Sequence, residues 1–258
     1  MSQEKIYMYG KHALIEALLS APEMLEHVYL MEKPDGELAG LIESTGLAYS
    51  RFDSKTIPRG VERDANHQGY IGSIRMGRLV KDYGTFISGL EVTNDTALVV
   101  MGELQDPQNV GAVIRTAAAF GIKGVLIPEH NQAQVTGTVV KVSAGMAFRV
   151  PLVSIGNVND TLRDLKERGF WMYGLDGEAK QSIVDEAFEA PSVFVFGNEQ
   201  NGIREKTLEL CDIPLSIPMS PDCESLNVAA SAAIALYAWS TKHENALGRP
   251  WKGGRSKK

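Results

Sequence analysis

The segment Asp106–Ala117 contains polar side chains that could take part in catalysis or binding. It follows the apolar run Ala97–Met101 and begins an amphipathic pattern. Its periodicity predicts a helix over Val110–Phe120. Asn109 suits the N-cap of this helix, because its side-chain oxygen can accept a hydrogen bond from a free helical N–H. Arg115 follows six residues after Asn109. A capped amphipathic helix with a solvated arginine accounts for this segment as well as a functional site does.

A second segment, Phe196–Ile203, is rich in glycine and asparagine and continues the apolar run Val193–Phe196. Ligands of open α/β sheets bind outside the carboxyl ends of the strands. Glycine at such a place lets the backbone approach a ligand closely, and Glu199 would hold a carboxylate at the mouth of the site. A plain turn is the alternative interpretation.

A third segment begins at Ile217, where a predicted strand ends at a proline, and continues through the polar run Ser225–Asn227. A helix is predicted over Val228–Trp239, with Ser225 or Asn227 either as an ordinary N-cap or as part of a site. This helix is rich in alanine. Its small side chains would permit close backbone approach, within a core or between two copies of the chain.

Together, in this order and at this spacing, the three segments resemble the three motifs of the SpoU/TrmH family of RNA 2′-O-ribose methyltransferases. The chain departs from the family pattern at Gly102-Glu103, where Asp-Gly is usual, and also at Gln200 and Glu224. The matching residues are Asn109, Gly111, Arg115, Thr116 and Ala117 in the first motif, Gly197, Glu199 and Gly202 in the second, and Ile217–Met219 and Ser225–Val228 in the third.

The resemblance implies an α/β fold with a mostly parallel C-terminal sheet and a deep trefoil knot of the SPOUT type. It further implies S-adenosylmethionine as cofactor, RNA as substrate and a homodimer whose active site draws on both chains. By position in the motifs, the cofactor would contact Gly197, Ile217 and Leu226. The residues expected around the reacting ribose are Asn109, Arg115, Glu199, Ser225 and Asn227.

The identity of the general base stays open. The family proposal assigns proton removal to the first-motif arginine, here Arg115. A guanidinium group has a pKa above ~12 and only donates hydrogen bonds. Arg115 would therefore also suit stabilisation of a developing alkoxide, with Glu199 or an RNA phosphate taking the proton.

Four regions are predicted: a small α/β domain (1–78), a connection (79–94), the methyltransferase domain (95–241) and a basic tail (242–258). The small α/β domain resembles the L30e-like substrate-binding domain of the bacterial 23S rRNA guanosine 2′-O-methyltransferases. The residues that carry this resemblance lie around Gly10 and at His67-Gln68-Gly69. The predicted helices are His12–Leu19, Glu37–Ser44, Val110–Phe120, Thr138–Ala144, Val158–Arg168, Arg204–Leu210 and Val228–Trp239. The predicted strands are His27–Met31, Ala48–Phe52, Gly69–Ile74, Ala97–Met101, Gly124–Ile127, Trp171–Leu175, Val193–Phe196 and Ile213–Ile217.

Charge is unevenly distributed. The whole chain carries a net charge of −6, whereas the last 17 residues carry 6 Lys or Arg and 1 Glu. This tail is either a solubilising terminus or an arm that contacts phosphate. Cys211 and Cys223 have neither disulfide-framework nor metal-ligand spacing, and no signal peptide or membrane-spanning run is evident. We therefore expect a cytoplasmic protein with no metal and no membrane partner.

These observations leave several functions to compare. The intact motifs favour an enzyme that methylates a ribose in structured RNA, and the resemblance to the 23S rRNA guanosine 2′-O-methyltransferases implies guanosine as the nucleotide. The substantial N-terminal domain favours 23S ribosomal RNA over transfer RNA. The alternatives are a transfer-RNA 2′-O-ribose methyltransferase, a non-catalytic RNA-binding relative, or an unrelated α/β enzyme that acts on a small metabolite.

Overall fold

A computed structural model of the chain describes residues 5–53, 55–61 and 66–248. The described residues form two sheets, one of four strands and one of eight. The predicted basic tail therefore lies largely outside the described residues. No helix in the described ranges is long and apolar enough to cross a membrane.

The N-terminal sheet has the strand order β1-β4-β2-β3, in which only the β2–β3 pair is parallel. Leu14 and Leu18 of α1 and Leu38 of α2 are buried in its core. Strand β1, which is five residues long, was not predicted from the sequence. The elements are β1 Lys5–Tyr9, α1 Lys11–Ser20, a 3₁₀ turn Pro22–Met24, β2 Leu25–Leu30, α2 Gly36–Thr45, β3 Tyr49–Arg51 and β4 Tyr70–Arg75.

The second sheet is parallel throughout, with the strand order β10-β12-β9-β11-β6-β7-β8-β5. All residues of β6, β7 and β11 are buried, as expected for strands covered on both faces. The further elements are α3 Met76–Leu79, β5 Val80–Asp82, α4 Tyr83–Ser88, β6 Ala97–Met101, α5 Pro107–Ala119, β7 Gly124–Pro128, α6 Gly137–Val142, a 3₁₀ turn Met146–Phe148, β8 Leu152–Ile155, α7 Val158–Glu167, β9 Trp171–Leu175, β10 Gln181–Ser182, β11 Ser192–Phe196, α8 Glu205–Leu208, β12 Ile213–Ser216, α9 Val228–Ser240 and a 3₁₀ turn Glu244–Leu247.

The segment 79–94, predicted to be a plain connection, contains regular structure. Its strand β5 pairs with β8 at the edge of the large sheet, and Asp82 caps α4 by accepting a hydrogen bond from the Thr85 backbone N–H. Phe86 of α4 is buried against Gly124. The three-residue strand and six-residue helix are too short for their periodicity to stand out in the sequence.

The α/β class and the mostly parallel sheet are confirmed, while the trefoil knot stays a prediction. The N-terminal sheet also packs directly on the second unit. A Cβ atom at Gly137 of α6 would lie 1.8 Å from the carbonyl oxygen of Tyr7 in β1. An ion pair between Glu16 and Arg149 crosses the same junction.

Candidate active site

A cavity of about 920 Å³ opens at the carboxyl ends of β9, β11 and β12. In a parallel sheet this edge is where ligands bind. Seven of the eight predicted site residues line it. Those residues are Asn109, Gly197, Glu199, Ile217, Ser225, Leu226 and Asn227.

Asn109 is not the N-cap of α5, contrary to the sequence prediction. The helix begins earlier, at Pro107, and Asp106 caps it by accepting a hydrogen bond from the Gln108 backbone N–H. Proline suits the first helical position because that N–H would have no helical partner. Asn109 therefore lies inside the first turn, is only 8% exposed, and has its side chain available for tertiary contacts.

The Asn109 side chain joins the other two motifs. Its amide nitrogen donates to Oε1 of Glu199 at 3.0 Å. Its amide oxygen accepts a hydrogen bond from the Nδ2 of Asn227 at 2.9 Å. Asn227 in turn caps α9 by accepting from the Ala229 backbone N–H at 2.9 Å. The second and third motifs are thus held in fixed positions relative to α5.

Glu199 has its carboxylate occupied by hydrogen bonds. It accepts the backbone N–H of Gln105 at 3.1 Å and that of Asp106 at 3.2 Å, in addition to the Asn109 amide. Partial burial alone would raise its pKa, but the hydrogen bonds from Asn109 and from backbone N–H groups outweigh burial and hold the pKa below its usual value. A carboxylate of this kind is ionised near neutral pH and is a weak proton acceptor.

The turn after β11 is closed by its own backbone. Asn198 and Gly202 exchange two backbone hydrogen bonds of 2.9 Å. A Cβ atom at Gly197 would lie 2.0 Å from the carbonyl carbon of Gly202, so only glycine fits there. The Asn198 side chain also donates to the Glu103 carbonyl oxygen at 2.8 Å, which ties this turn to the loop after β6.

Arg115 does not line the cavity of its own chain. It lies on the exposed side of α5, in one stripe with Gln108 and Ala119, and makes no hydrogen bond or ion pair with any described residue. Six residues along a helix correspond to a rotation of roughly 240°, so Arg115 and Asn109 face different directions.

The lining side chains give the cavity an acidic character. Among the described residues that line it are four carboxylates and no lysine or arginine; the acidic residues are Asp106, Asp176, Glu199 and Glu224. The apolar side chains of Leu175, Ile217 and Leu226 form part of the wall. No group of three or more His, Cys, Asp or Glu in the described ranges is placed to hold a metal ion.

The sequence model of the SpoU rRNA methylase family matches residues 96–237 of this chain. The chain belongs to the SpoU rRNA methylase family. A second model, described as RNA 2′-O ribose methyltransferase substrate binding, matches residues 7–79. The family resemblance drawn from the three motifs is therefore confirmed.

Similar proteins span nearly the whole chain. The 23S rRNA (guanosine-2′-O-)-methyltransferase RlmB of Nitrosomonas europaea is 33% identical, covering 94% of this chain and 94% of the relative. The protein of the same name from Xanthomonas campestris is 40% identical, over 92% of this chain and 96% of the relative. The crystal structure of the SpoU methyltransferase AviRb from Streptomyces viridochromogenes in complex with AdoMet is 20% identical and shares the fold, with a TM-score of 0.79 over 93% of this chain and 91% of that one.

Two residues of the site in this SpoU family member were not predicted from the sequence. Asp106 caps α5 and lines the cavity, and the Asp-Pro pair at the helix start was an available signal. Asn198 links the loops after β6 and β11. No local pattern marks that link, because its partner lies 95 residues away.

Proposed function

We propose that this protein transfers a methyl group from S-adenosylmethionine to the ribose 2′-hydroxyl of a guanosine in 23S rRNA. The observation that carries the proposal is the convergence of all three motifs on one cavity through Asn109. Relatives named as 23S rRNA guanosine 2′-O-methyltransferases, similar over nearly the whole chain, support the choice of RNA and nucleotide.

The cavity suits S-adenosylmethionine by its charge. That molecule carries a sulfonium, an ammonium and a carboxylate, so its net charge is positive. Four acidic side chains and no basic one line the cavity among the described residues, which favours such a ligand. Gly197, Ile217 and Leu226 would hold it between the loops after β11 and β12. When bound, it supplies a methyl group activated by the positive sulfur.

The residues around Asn109 would position the ribose. Holding the hydroxyl in line with the methyl group can supply much of the rate, because the reaction then needs little further ordering. Asn109 and Glu199 are fixed by their mutual hydrogen bond. Glu199 acts as an acceptor that positions the Gln105–Asp106 loop, and its lowered pKa argues against a role as general base.

The site needs a cation, and none of the described residues that line the cavity supplies one. RNA phosphate and a developing alkoxide are negative, whereas the cavity is lined by acids. Arg115 of a second copy would provide the missing charge. Helix α9 packs against α5 and exposes Ile234 and Tyr237, of which Tyr237 is 60% exposed and contacts the Phe120 ring. We therefore propose a homodimer formed through α5 and α9, working on ribosomal RNA in the cytoplasm.

Methyl transfer from labelled S-adenosylmethionine to unmodified RNA tests the proposal. We expect incorporation into 23S rRNA, little into 16S rRNA or transfer RNA, and none with Asn109→Ala. The control Asn94→Ala changes an exposed loop asparagine outside the cavity and should behave as wild type. Preferential labelling of transfer RNA would favour the alternative substrate. No labelling of any RNA would point to a non-catalytic relative.

A further inference from the structure

A second cavity, of about 460 Å³, lies beside the first at the same edge of the sheet. It is formed at the carboxyl ends of β6, β7 and β8, with the start of α7 and α8 completing the wall. Most of its side chains are polar. The polar side chains that line it are Glu103, His130, Asn131, Asn157, Asn159, Arg204 and Thr207.

The two cavities share one wall, the loop 102–106. Gln105 and Asp106 present their backbone N–H groups to Glu199 in the first cavity. Glu103 of the same loop lines the second cavity. The second cavity therefore adjoins the proposed ribose site across this loop.

The rim of the second cavity has strained backbone. Glu103 and Asn131 both have positive φ angles, of 66° and 54°. The Gln105 side chain bridges their carbonyl oxygens and holds the two loops together. Backbone of this kind, fixed by its surroundings, is concentrated at functional sites. Here it fixes the Glu103 position that lines the cavity.

An ion pair at this rim leaves a specific set of hydrogen-bonding groups free. Arg204 donates a hydrogen bond from Nε to Oε2 of Glu103 at 3.0 Å, and its Nη2 lies 2.7 Å from the same oxygen in an ion pair. Glu103 Oε1 and Arg204 Nη1 have no partner among the described residues. The cavity therefore presents a cationic donor beside a free carboxylate acceptor.

We infer that this cavity receives the guanine base of the nucleotide whose ribose is methylated, and this inference rests on the function proposed above. Guanine presents, side by side, the acceptor O6 and the donors N1–H and the 2-amino group. Arg204 would donate to O6, while Glu103 would accept from N1–H and the 2-amino group. Adenine and cytosine present a donor where O6 stands and an acceptor where N1–H stands.

Uracil shares the carbonyl and the ring N–H with guanine but has no second donor, and it is smaller. If uracil bound in the cavity, the Glu103 carboxylate would therefore receive one hydrogen bond fewer than it receives from guanine. RNA-binding proteins read bases on their Watson–Crick edges when those bases are unstacked. The cavity thus requires a base turned out of its stack, which is the arrangement that also exposes the ribose.

Binding of nucleoside monophosphates to the full-length protein tests the inference. The probes are GMP, IMP, UMP and AMP. We expect GMP to bind roughly tenfold more tightly than AMP, the size of effect typical of a paired base edge, and IMP, which lacks the 2-amino group, to fall between them. In Glu103→Gln the preference of GMP over AMP should disappear. The matched control is Glu205→Gln, an exposed neighbouring carboxylate outside the cavity, which should retain the preference.

A second experiment tests whether the cavity binds the target base of the RNA or only a free nucleotide. GMP should compete with 23S rRNA in methyl transfer but not with S-adenosylmethionine. GMP binding without competition against RNA would overturn the assignment to the target base. Equal or undetectable binding of all four nucleotides, or retention of the preference in Glu103→Gln, would overturn the guanine site itself. Absence of methyl transfer by the wild type would instead defeat the proposed function, because the binding measurement does not depend on it.

Discussion

Asn109 donates its side-chain N–H to a carboxylate oxygen of Glu199 at 3.0 Å, across 90 residues of sequence. Through its amide oxygen it also accepts from Asn227 at 2.9 Å. One amide thus uses both its donor and its acceptor to join three loops. Because Asn109 is buried, losing either partner would leave a polar group unsatisfied, at a cost of roughly 1–3 kcal/mol.

This network predicts different effects for two replacements of Glu199. In Glu199→Gln one side-chain oxygen remains, and Oε1 is the atom that accepts from Asn109, Gln105 and Asp106. We expect kcat to stay within about tenfold of wild type. Glu199→Ala removes every acceptor and should lower kcat by about 10²–10³, comparable with loss of a preorganised donor at other sites. Single-turnover methyl transfer measures both.

A general-base role for Glu199 would give a different pattern. Both variants would then be equally impaired. Because the pKa of Glu199 is lowered, its carboxylate is ionised near neutral pH in either role. The ratio of the rates of the two variants, measured at one neutral pH, therefore separates the two roles.

Asn109→Asp should create a pH-dependent defect. The substitution would place a carboxylate about 3 Å from that of Glu199, and two like charges so close raise the pKa of one of them. Above that pKa the pair repels and the loops separate; below it, the shared proton restores a hydrogen bond. Relative to wild type, we expect about a 10²-fold loss of kcat/KM at pH 8 that diminishes toward pH 5.5.

The control for this variant is Asn94→Asp, an exposed position away from the cavity. Its rate relative to wild type should not change with pH. A defect of Asn109→Asp that is the same at pH 8 and pH 5.5 would show that repulsion from Glu199 is not the cause.

The position of Arg115, outside the cavity of its own chain, predicts complementation between subunits. Arg115→Ala and Asn109→Ala should each be inactive alone. Mixed and allowed to exchange subunits in equal amounts, they should recover about a quarter of wild-type activity, since half of the dimers are mixed and each has one complete site. A mixture that stays inactive, with exchange demonstrated, would assign Arg115 to its own chain or to no site.

The close contact of Gly137 in α6 with Tyr7 in β1 allows the junction between the N-terminal domain and the methyltransferase domain to be tested. In Gly137→Ala the new Cβ atom would meet the Tyr7 carbonyl oxygen at 1.8 Å, so α6 and β1 must separate. We expect weaker methylation of 23S rRNA with unchanged S-adenosylmethionine binding by calorimetry. The control Gly40→Ala lies in α2, where a Cβ atom meets nothing within 4 Å. Equal rRNA methylation by both variants would show that this contact does not position the substrate domain.

Motif spacing in the sequence was sufficient to identify the family and seven of the residues that line the cavity. Ile217 and Leu226 follow directly from it, because both lie in loops at the carboxyl edge of the sheet. Buried strands such as β11 were recognisable for a similar reason, since every residue in them is apolar or small.

The hydrogen-bond partners of the site residues could not be predicted from the sequence. Asn109 suits an N-cap by residue type, but the neighbouring Asp106-Pro107 pair fulfils that role one turn earlier. The Glu199 contacts depend on the loop after β6 reaching the turn after β11, which adjacent parallel strands bring together. Such a contact is set by strand order, and local periodicity contains no information about strand order.

Nucleoside analysis of the RNA product tests the central claim most directly. Unmodified 23S rRNA is incubated with S-adenosylmethionine and either wild type or Asn109→Ala, then digested to nucleosides and analysed by mass spectrometry. We expect 2′-O-methylguanosine from the wild type, approaching one per rRNA molecule, and none from the variant. A methyl group found on a base, or 2′-O-methylguanosine formed equally by Asn109→Ala, would contradict the site described above.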